Sequence, residues 1–333
     1  MKSTLQSVLE TKIPLRFRPD GGFRIMMISD IHGGIGFAAV ETQNTLDRMI
    51  EAVRPDLVLL GGDICGPGYI HAETTDDVRM VITAVTAPME RRGIPWAHVY
   101  GNHDDNYGVP NDVQQPIYES FAHCVSKAGD DDIDGTGNYF LPVCDSTGAD
   151  IRFGIWGMDS HHSMPEFKKE YGLDETLRFF HQSPAADGDY DGPRMNQIFW
   201  YWQTSQMLEE HCGHKVPALL YMHIPTPEHA LVTLHRSDCR LSGVQMEQVA
   251  SGILNNGLVS ACIQRGDVKA IFCGHDHENN FAAEYCGIKL GYDGFFSYHA
   301  SHNPETFGCR VFDVREEHPE QIDTHIVLVR DLK

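Results

Sequence analysis

Basic residues are scarce in this sequence. Lys and Arg number 26 against 47 Asp and Glu, so the formal net charge is −21. Nucleic acids and anionic membranes are bound mainly through neutralisation of their phosphate groups by basic side chains. We therefore expect neither a nucleic acid nor a membrane among the partners of this chain. A cluster of carboxylates that holds cations would account for part of the acidic excess.

Paired cysteines and long apolar runs are missing as well. The nine cysteines are scattered and never form a Cys-x-x-Cys pair, which argues against a disulfide framework or a zinc ribbon. No segment reaches the ~18 apolar residues of a membrane-spanning helix, and residues 1–23 lack the apolar core of a signal peptide. The composition is that of an ordinary globular protein, and the unpaired cysteines predict a reducing, cytoplasmic location.

The first third of the chain alternates apolar runs with helical patterns. Ile13–Arg18, followed by turn residues at Pro19–Gly22, predicts the first arm of a β-hairpin whose second arm is the next apolar run. Apolar residues at helical spacing predict a helix over 41–53, and a similar stripe begins at Val78. The predicted buried strands of this region are Phe23–Ser29, Asp56–Leu60 and Ile94–Tyr100.

The rest of the chain continues the same alternation. Helices are predicted over 198–210 and 244–265, and the acidic, glycine-containing stretch Asp130–Gly135 is read as a solvated loop. The polar segment around 160–195 is predicted to be an insertion that lines or covers a site. Without an internal repeat or a linker, residues 1–333 are interpreted as one domain. Further strands are predicted at 152–158, 216–222, 268–274, 281–285, 288–292, 309–314 and 325–329.

Side chains of the metal-ligand type follow the predicted strands. They are Asp30, His32, Asp63, Asn102, His103, His223, His275 and His277. Because ligands bind at the carboxyl ends of strands in open α/β sheets, we expect these residues to meet at one edge of one sheet. Seven of them, three Asp or Asn and four His, are already too many ligands for one tetrahedral zinc. They suit two divalent ions ~3.5–4 Å apart, which share a bridging carboxylate and turn a water between them into the nucleophile.

The ordered motifs resemble those of the calcineurin-like metallophosphoesterase superfamily. They are Asp30-x-His32, Gly61-Gly-Asp63, Gly101-Asn-His-Asp104, the strand-end His223 and Gly274-His-Asp-His277. The likeness spans residues 12–330, and the segments Tyr221–Pro227 and Gly266–His277 further resemble the small purple-acid-phosphatase-like branch of plants and fungi. The resemblance implies a four-layer α-β-β-α sandwich, in which two mixed sheets are flanked by helices and the later short strands build the second sheet.

The resemblance also implies roles for the site residues. His103 would face the substrate and donate to the leaving oxygen or a phosphoryl oxygen, with Asp104 orienting its ring. Asp276 would either support the ligands or point outward, whereas Asp159, His161 and His299 are further candidates for the substrate pocket. The implied metal ligands are Asp30, His32 and His277 for the first ion, Asn102, His223 and His275 for the second, and Asp63 as the bridge.

One position departs from the purple acid phosphatases proper. Those enzymes carry a tyrosine three residues after the bridging aspartate, and its bond to iron(III) gives their colour. Here that position is Gly66, and His32 stands where those enzymes have a different residue. We therefore expect a colourless enzyme that uses two divalent ions, with Mn, Fe(II), Zn and Mg as the candidates.

The sequence predicts a hydrolase of phosphate monoesters or diesters, acting on a small phosphorylated molecule or a phosphoprotein. A phosphodiesterase for cyclic nucleotides or small diesters is the alternative. A scaffold that has kept the fold without turnover is a second alternative, which we disfavour because every expected ligand position and His103 are filled. The sequence indicates neither the physiological substrate nor the oligomeric state.

Overall fold

Two β-sheets lie face to face, with helices on their outer faces. A computed structural model describes residues 4–33, 37–66, 73–106, 108–174, 190–252, 254–298 and 303–332. Within these residues both sheets are mixed, with parallel and antiparallel neighbours. The expected α-β-β-α architecture is confirmed, and no helix in the described part is long and apolar enough to cross a membrane.

The smaller sheet has five strands in the order β12-β11-β2-β3-β4. Its central strand β2 pairs in parallel with β3 and antiparallel with β11. The strands are β2 (Gly22–Ile28), β3 (Leu57–Leu60), β4 (Trp96–His98), β11 (Gly308–Arg315) and β12 (Ile322–Leu328).

The larger sheet has seven strands in the order β1-β5-β6-β7-β8-β10-β9. Its parallel centre is formed by β6, β7 and β8. The strands are β1 (Leu15–Arg16), β5 (Tyr139–Cys144), β6 (Ile151–Gly157), β7 (Ala218–Met222), β8 (Val268–Cys273), β9 (Ala282–Tyr285) and β10 (Ile288–Tyr292).

Helices flank the two sheets. They are α1 (Leu5–Leu9), α2 (Phe37–Val53), α3 (Thr75–Arg92), α4 (Asn111–Glu119), α5 (Met164–Glu170), α6 (Met195–Cys212), α7 (Pro227–Leu234) and α8 (Leu258–Arg265), followed by a short 3₁₀ turn at Val329–Asp331. Helix α3 is defined at both ends. Thr74 and Asp77 form a capping box at its start, and Gly93 in the left-handed conformation ends it.

Strands buried on both faces explain the apolar runs of the sequence. Alternate residues of β2 serve two cores, because side chains in a strand point to opposite faces. Ile25 and Met27 pack between the sheets, whereas Met26 and Ile28 pack under helices α2 and α3. A third core lies between the larger sheet and helices α6 and α8. The strands that precede the candidate site residues can therefore be recognised in the sequence as uninterrupted runs of apolar residues.

Two predictions about strand pairing are wrong. The turn after Arg18 exists, with the Gly21 N–H donating to the Arg18 carbonyl at 2.8 Å. Strand β1 nevertheless pairs in parallel with β5, while β2 lies in the opposite sheet. A turn signal fixes a reversal of the chain but not the partner of each strand. The later strands also divide, since β9 and β10 join the larger sheet and β11 and β12 the smaller.

The helix predicted over 244–265 is confined to α8 at its C-terminal end. Upstream, side chains of the loop after β8 replace the hydrogen bonds of a helix. The Val244 N–H donates to Asn280 Oδ1 at 2.8 Å, and the Met246 N–H to Asn279 Oδ1 at 3.2 Å. Strand β5 and helix α4 were not predicted, and each contains an internal proline that interrupts its pattern, Pro142 and Pro116 respectively.

Phe272 tests the core between the sheets. Its ring meets Phe312 of the opposite sheet edge-on, with 4.8 Å between ring centroids, and it is fully buried. We expect Phe272→Ala to lower the free energy of unfolding by about 3–5 kcal/mol. Phe199→Ala is the matched control, because Phe199 on α6 is 58% exposed and its loss should cost about 0.5 kcal/mol or less. Urea titration measures both, and equal losses would contradict this packing.

Candidate metal centre

The expected ligand residues converge, but from two sheets. Asp30 and His32 follow β2, Asp63 follows β3, and Asn102 and His103 lie beyond β4, all at one end of the smaller sheet. The other three residues come from the larger sheet, His223 directly after β7 and His275 and His277 after β8. The single sheet edge expected from the sequence is therefore wrong. Because the two sheets face each other, the carboxyl ends of their parallel strands meet at the same place between them.

The first group consists of Asp30, His32 and His277. His277 Nε2 lies 3.3 Å from Asp30 Oδ1 and 3.4 Å from His32 Nε2. One ligand atom from each residue lies within 4.8 Å of the others, a spacing that could hold a metal ion. Phe295 stacks on the His277 ring at 5.5 Å and supports it from the side.

The second group joins Asp63 and His223 to Asp30. His223 Nε2 lies 3.3 Å from Asp63 Oδ2 and 3.9 Å from Asp30 Oδ1. Nδ1 of His223 contacts the Gly61 carbonyl at 2.8 Å, so that Nδ1 carries a hydrogen and Nε2 is directed at the carboxylates. His275 lies beside this group, with 5.1 Å between its ring and that of His223.

Several ligand-type atoms here are buried without a hydrogen-bond partner in the described part of the chain. They are Asp30 Oδ1, Asn102 Oδ1, His223 Nε2 and His275 Nε2. A buried polar atom left without a partner costs about 1–3 kcal/mol, so a native cluster of them requires an explanation. Carboxylate, amide and imidazole donors suit first-row divalent ions and magnesium. The donor set fits the two metal ions that the sequence predicts.

The backbone of the site is held in uncommon conformations. Asp30, His32, Asp63 and His275 have positive φ angles of 54°, 46°, 51° and 77°. Such left-handed residues cost of order 1–3 kcal/mol each and cluster at functional sites. The strain is supported by backbone hydrogen bonds between the loops, of which His32 N–H to the Asp63 carbonyl at 2.8 Å is one.

Gly66 leaves the space that the His32 ring occupies. A Cβ atom added at Gly66 would lie 2.1 Å from His32 Nδ1 and 2.9 Å from its Cγ. The imidazole thus excludes any side chain at this position.

Asp104 does not orient His103, contrary to the expectation. Its carboxylate is buried and accepts hydrogen bonds from backbone groups around Asp63. The donors are the N–H groups of Gly101, Asp63, Ile64 and Cys65, at 2.7 to 2.9 Å. Asp104 therefore braces the loops that carry Asp63 and Asn102. The position of an Asp directly after a His in the sequence does not indicate which neighbour its carboxylate contacts.

The His103 side chain is partly exposed beside the cluster. Its ring centroid lies 5.7 Å from that of His32, and its backbone N–H donates to Asp63 Oδ1 at 2.8 Å. Within the described residues, the hydrogen bond of its ring is to the side chain of Asn106, at 2.7 Å from Nδ1. No sequence pattern had drawn attention to Asn106.

The remaining candidates have structural contacts. Asp159 accepts the N–H groups of Thr136 and His161 at 2.8 Å, and His161 Nε2 lies 2.8 Å from Gln197 Oε1. The contact with Gln197 fastens the start of the 160–195 segment to α6. Asp276 is buried and accepts from the Ala250 N–H at 3.3 Å, so it points inward. His299 lies outside the described residues.

Burial and mutual charge shape the titration of the cluster. Burial by itself lowers the pKa of His223. The charges of Asp63 and Asp30 outweigh that effect and raise the pKa to about 10. His277 behaves alike, and Asp30 raises its pKa to about 9 against the effect of burial. Burial and the charge of His223 lower the pKa of His275 to about 3. At neutral pH His223 and His277 therefore hold protons that a metal must displace, while His275 is already a neutral ligand.

Comparison with known proteins assigns the chain to a class. A dimetal phosphatase from Danio rerio shares the fold, with a TM-score of 0.55 and 15% identity over 92% of this chain and 99% of that one. The architecture is the metallo-dependent phosphatase fold.

The calcineurin-like phosphoesterase model matches residues 23–279, and this protein belongs to that family. "Probable inactive purple acid phosphatase 14" from Arabidopsis thaliana is 31% identical, covering 86% of this chain and 73% of the relative. Phosphatase DCR2 from Saccharomyces cerevisiae is 24% identical over 79% of this chain and 45% of its own. The sequence-based resemblance is confirmed.

Metal affinity should rise with pH. Below about pH 9 the metal-free protein holds protons on His223 and His277, and raising the pH weakens their competition with the metal. Between pH 6 and 8 we expect the apparent affinity for each of two Mn²⁺ or Zn²⁺ ions to increase by up to about tenfold per pH unit, because each ion displaces one proton. Calorimetric titration in buffers of different ionisation enthalpy counts those protons.

The control for this titration is His214→Gln. His214 is partly exposed and precedes β7, at the opposite end of that strand from His223. The substitution should leave the number of displaced protons unchanged. A pH-independent affinity in the wild type would contradict the charge distribution described for the cluster.

Proposed function

We propose that this protein hydrolyses phosphate esters with two divalent metal ions. The observation that carries the proposal is the buried cluster of unpartnered ligand atoms between the two sheets. Membership of the phosphoesterase family supports it. Two cations bound there would neutralise the non-bridging oxygens of the ester and make hydroxide available at neutral pH. The residues that would hold them are Asp30, His32 and His277, then Asn102, His223 and His275, with Asp63 shared.

The chain's own groups supply position and hydrogen bonds. Asp63 is fixed by the His103 N–H and, through its own N–H, by Asp104. His103 is beside the cluster but partly open to solvent, where a substrate could reach its ring. A positioned imidazole that stabilises charge on a phosphoryl or leaving oxygen is typically worth ~10²–10⁴-fold in rate. We propose this role for His103.

The names of relatives favour a second candidate. Probable inactive purple acid phosphatase 14 is named as lacking activity, so a metal-binding scaffold without turnover competes with the enzyme. Two observations favour the enzyme in this chain. All the proposed ligand positions are occupied by ligand-type residues, and His103 is retained beside them.

A small phosphorylated molecule or a phosphoprotein is the substrate class that we propose. The nine cysteines are free thiols, which suits a reducing compartment, and we propose the cytoplasm. A paired rate assay with an aryl phosphate monoester and the matching diester, on metal-reconstituted protein, tests the function. Faster monoester turnover supports a phosphatase, and a diester preference indicates a phosphodiesterase. Two bound metals without turnover of either ester would establish the scaffold instead.

His103→Ala and Asp63→Ala should separate rate from metal binding. We expect His103→Ala to keep both metals and lose ~10²–10⁴-fold in kcat, because its ring is not among the proposed ligands. Asp63→Ala should lose metal and activity together. Elemental analysis and rate measurement check both, with His318→Ala, exposed between β11 and β12, as control. Full activity of His103→Ala would refute the assigned role.

The metal-loaded protein should be colourless. The residue that would bond iron(III) through a phenolate is replaced by Gly66, and the His32 ring fills the adjoining space. We expect no charge-transfer band in the visible region after oxidation of the iron-loaded form. A violet to green band that survives dialysis would contradict this expectation.

A further inference from the structure

The ring of His103 has a specific partner that the family resemblance did not assign. His103 Nδ1 and Asn106 Nδ2 are 2.7 Å apart, a short hydrogen-bond distance. Asp104, whose carboxylate was expected to orient the ring, instead accepts hydrogen bonds from backbone N–H groups. Among the described residues, Asn106 is therefore the group that fixes the ring.

Local backbone structure brings these two side chains together. The Asn106 N–H donates to the His103 carbonyl at 3.3 Å, which closes a turn over residues 103–106. Such a turn sets the first and fourth residues side by side. The start of the turn is anchored, since the His103 N–H donates to Asp63 Oδ1 at 2.8 Å. The turn that brings the ring of His103 to the amide of Asn106 is thus attached to the carboxylate of Asp63.

A hydrogen bond at Nδ1 decides which ring nitrogen carries the hydrogen. A neutral imidazole has one donor and one acceptor nitrogen, and the partner of one nitrogen sets the role of the other. The amide nitrogen of Asn106 can only donate, so in this pair Nδ1 accepts and a neutral ring would carry its hydrogen on Nε2. Nε2 is then the nitrogen that remains for a ligand.

We propose that Asn106 is a positioning residue that presents His103 with its hydrogen on Nε2, directed to an oxygen of the substrate. This inference rests on the proposed hydrolase function and deepens it. With its hydrogen on Nε2, His103 donates a hydrogen bond to a phosphoryl or leaving oxygen. With the hydrogen on Nδ1, it would present a lone pair to an anionic substrate and repel it.

Asn106→Asp is the sharpest substitution, because it keeps the shape of the side chain and replaces a donor by an acceptor. A carboxylate at 106 accepts from Nδ1–H and so moves the hydrogen away from Nε2. Asn106→Gln keeps a donor amide on a longer side chain and should rescue the wild-type arrangement. Gln203→Glu, on the exposed face of α6, adds the same charge elsewhere and is the matched control.

The direct readout is the tautomer, measured by long-range ¹H–¹⁵N correlation on ¹⁵N-labelled protein. The His103 signals are identified by their loss in His103→Gln. We expect an Nε2–H ring in the wild type, Asn106→Gln and Gln203→Glu, and an Nδ1–H ring in Asn106→Asp. An Nδ1–H ring in the wild type, or the same ring state in wild type and Asn106→Asp, would overturn the inference.

Kinetics provide the second readout. We expect Asn106→Asp to lower kcat by about tenfold or more, with KM changed much less, since the lost hydrogen bond is made mainly in the transition state. Asn106→Gln should recover most of kcat. If Asn106→Asp changed KM and left kcat unaltered, a positioning role would be refuted. If the wild type turns over no ester, the hydrolase proposal fails, and the spectra still decide the tautomer.

Discussion

Asp63 connects the two halves of the site, and the rest of the arrangement depends on it. Its carboxylate accepts the His103 N–H from the smaller sheet and lies 3.3 Å from His223 Nε2, which belongs to the larger sheet. Its backbone donates to Asp104 and accepts from His32. A residue with these contacts must sit where the carboxyl ends of both sheets face each other. The packing of one sheet on the other is therefore a condition for the site.

The site also lowers the stability of the folded protein. Buried carboxylates, left-handed residues and unpartnered polar atoms each destabilise a protein that lacks a compensating ligand. The shared core of the two sheets supplies the rigidity that supports this strain. A ligand that binds only the folded state stabilises it by mass action, so metal occupancy and fold stability should be coupled here. Glycines at Gly62 and Gly101 permit the close approach, since a Cβ atom at either would meet His223 or Asp63.

Much of the site could be predicted from the sequence because its residues lie within a few positions of the ends of buried strands. An apolar strand buried on both faces is recognisable, and a residue shortly after it, such as Asp63 or His223, lies near a sheet edge whatever the topology. The choice of sheet was not predictable, because it depends on pairing between strands distant in sequence. The same limit explains the missed role of Asp104, whose partners are backbone groups of another loop. Asn106 was overlooked because an asparagine in a polar turn has no distinguishing pattern.

The relation between Gly66 and His32 bears on whether the absence of the purple-enzyme tyrosine implies inactivity. A side chain at 66 and the imidazole at 32 cannot coexist, since the Cβ atom alone would come within 2.1 Å of the ring. Losing a tyrosine at 66 while gaining His32 exchanges one ligand-type side chain for another at the same place. The number of ligand-type side chains around the first group is thereby kept, and a neutral imidazole replaces an anionic phenolate. A neutral imidazole carries less negative charge than a phenolate, which agrees with the proposed pair of divalent ions.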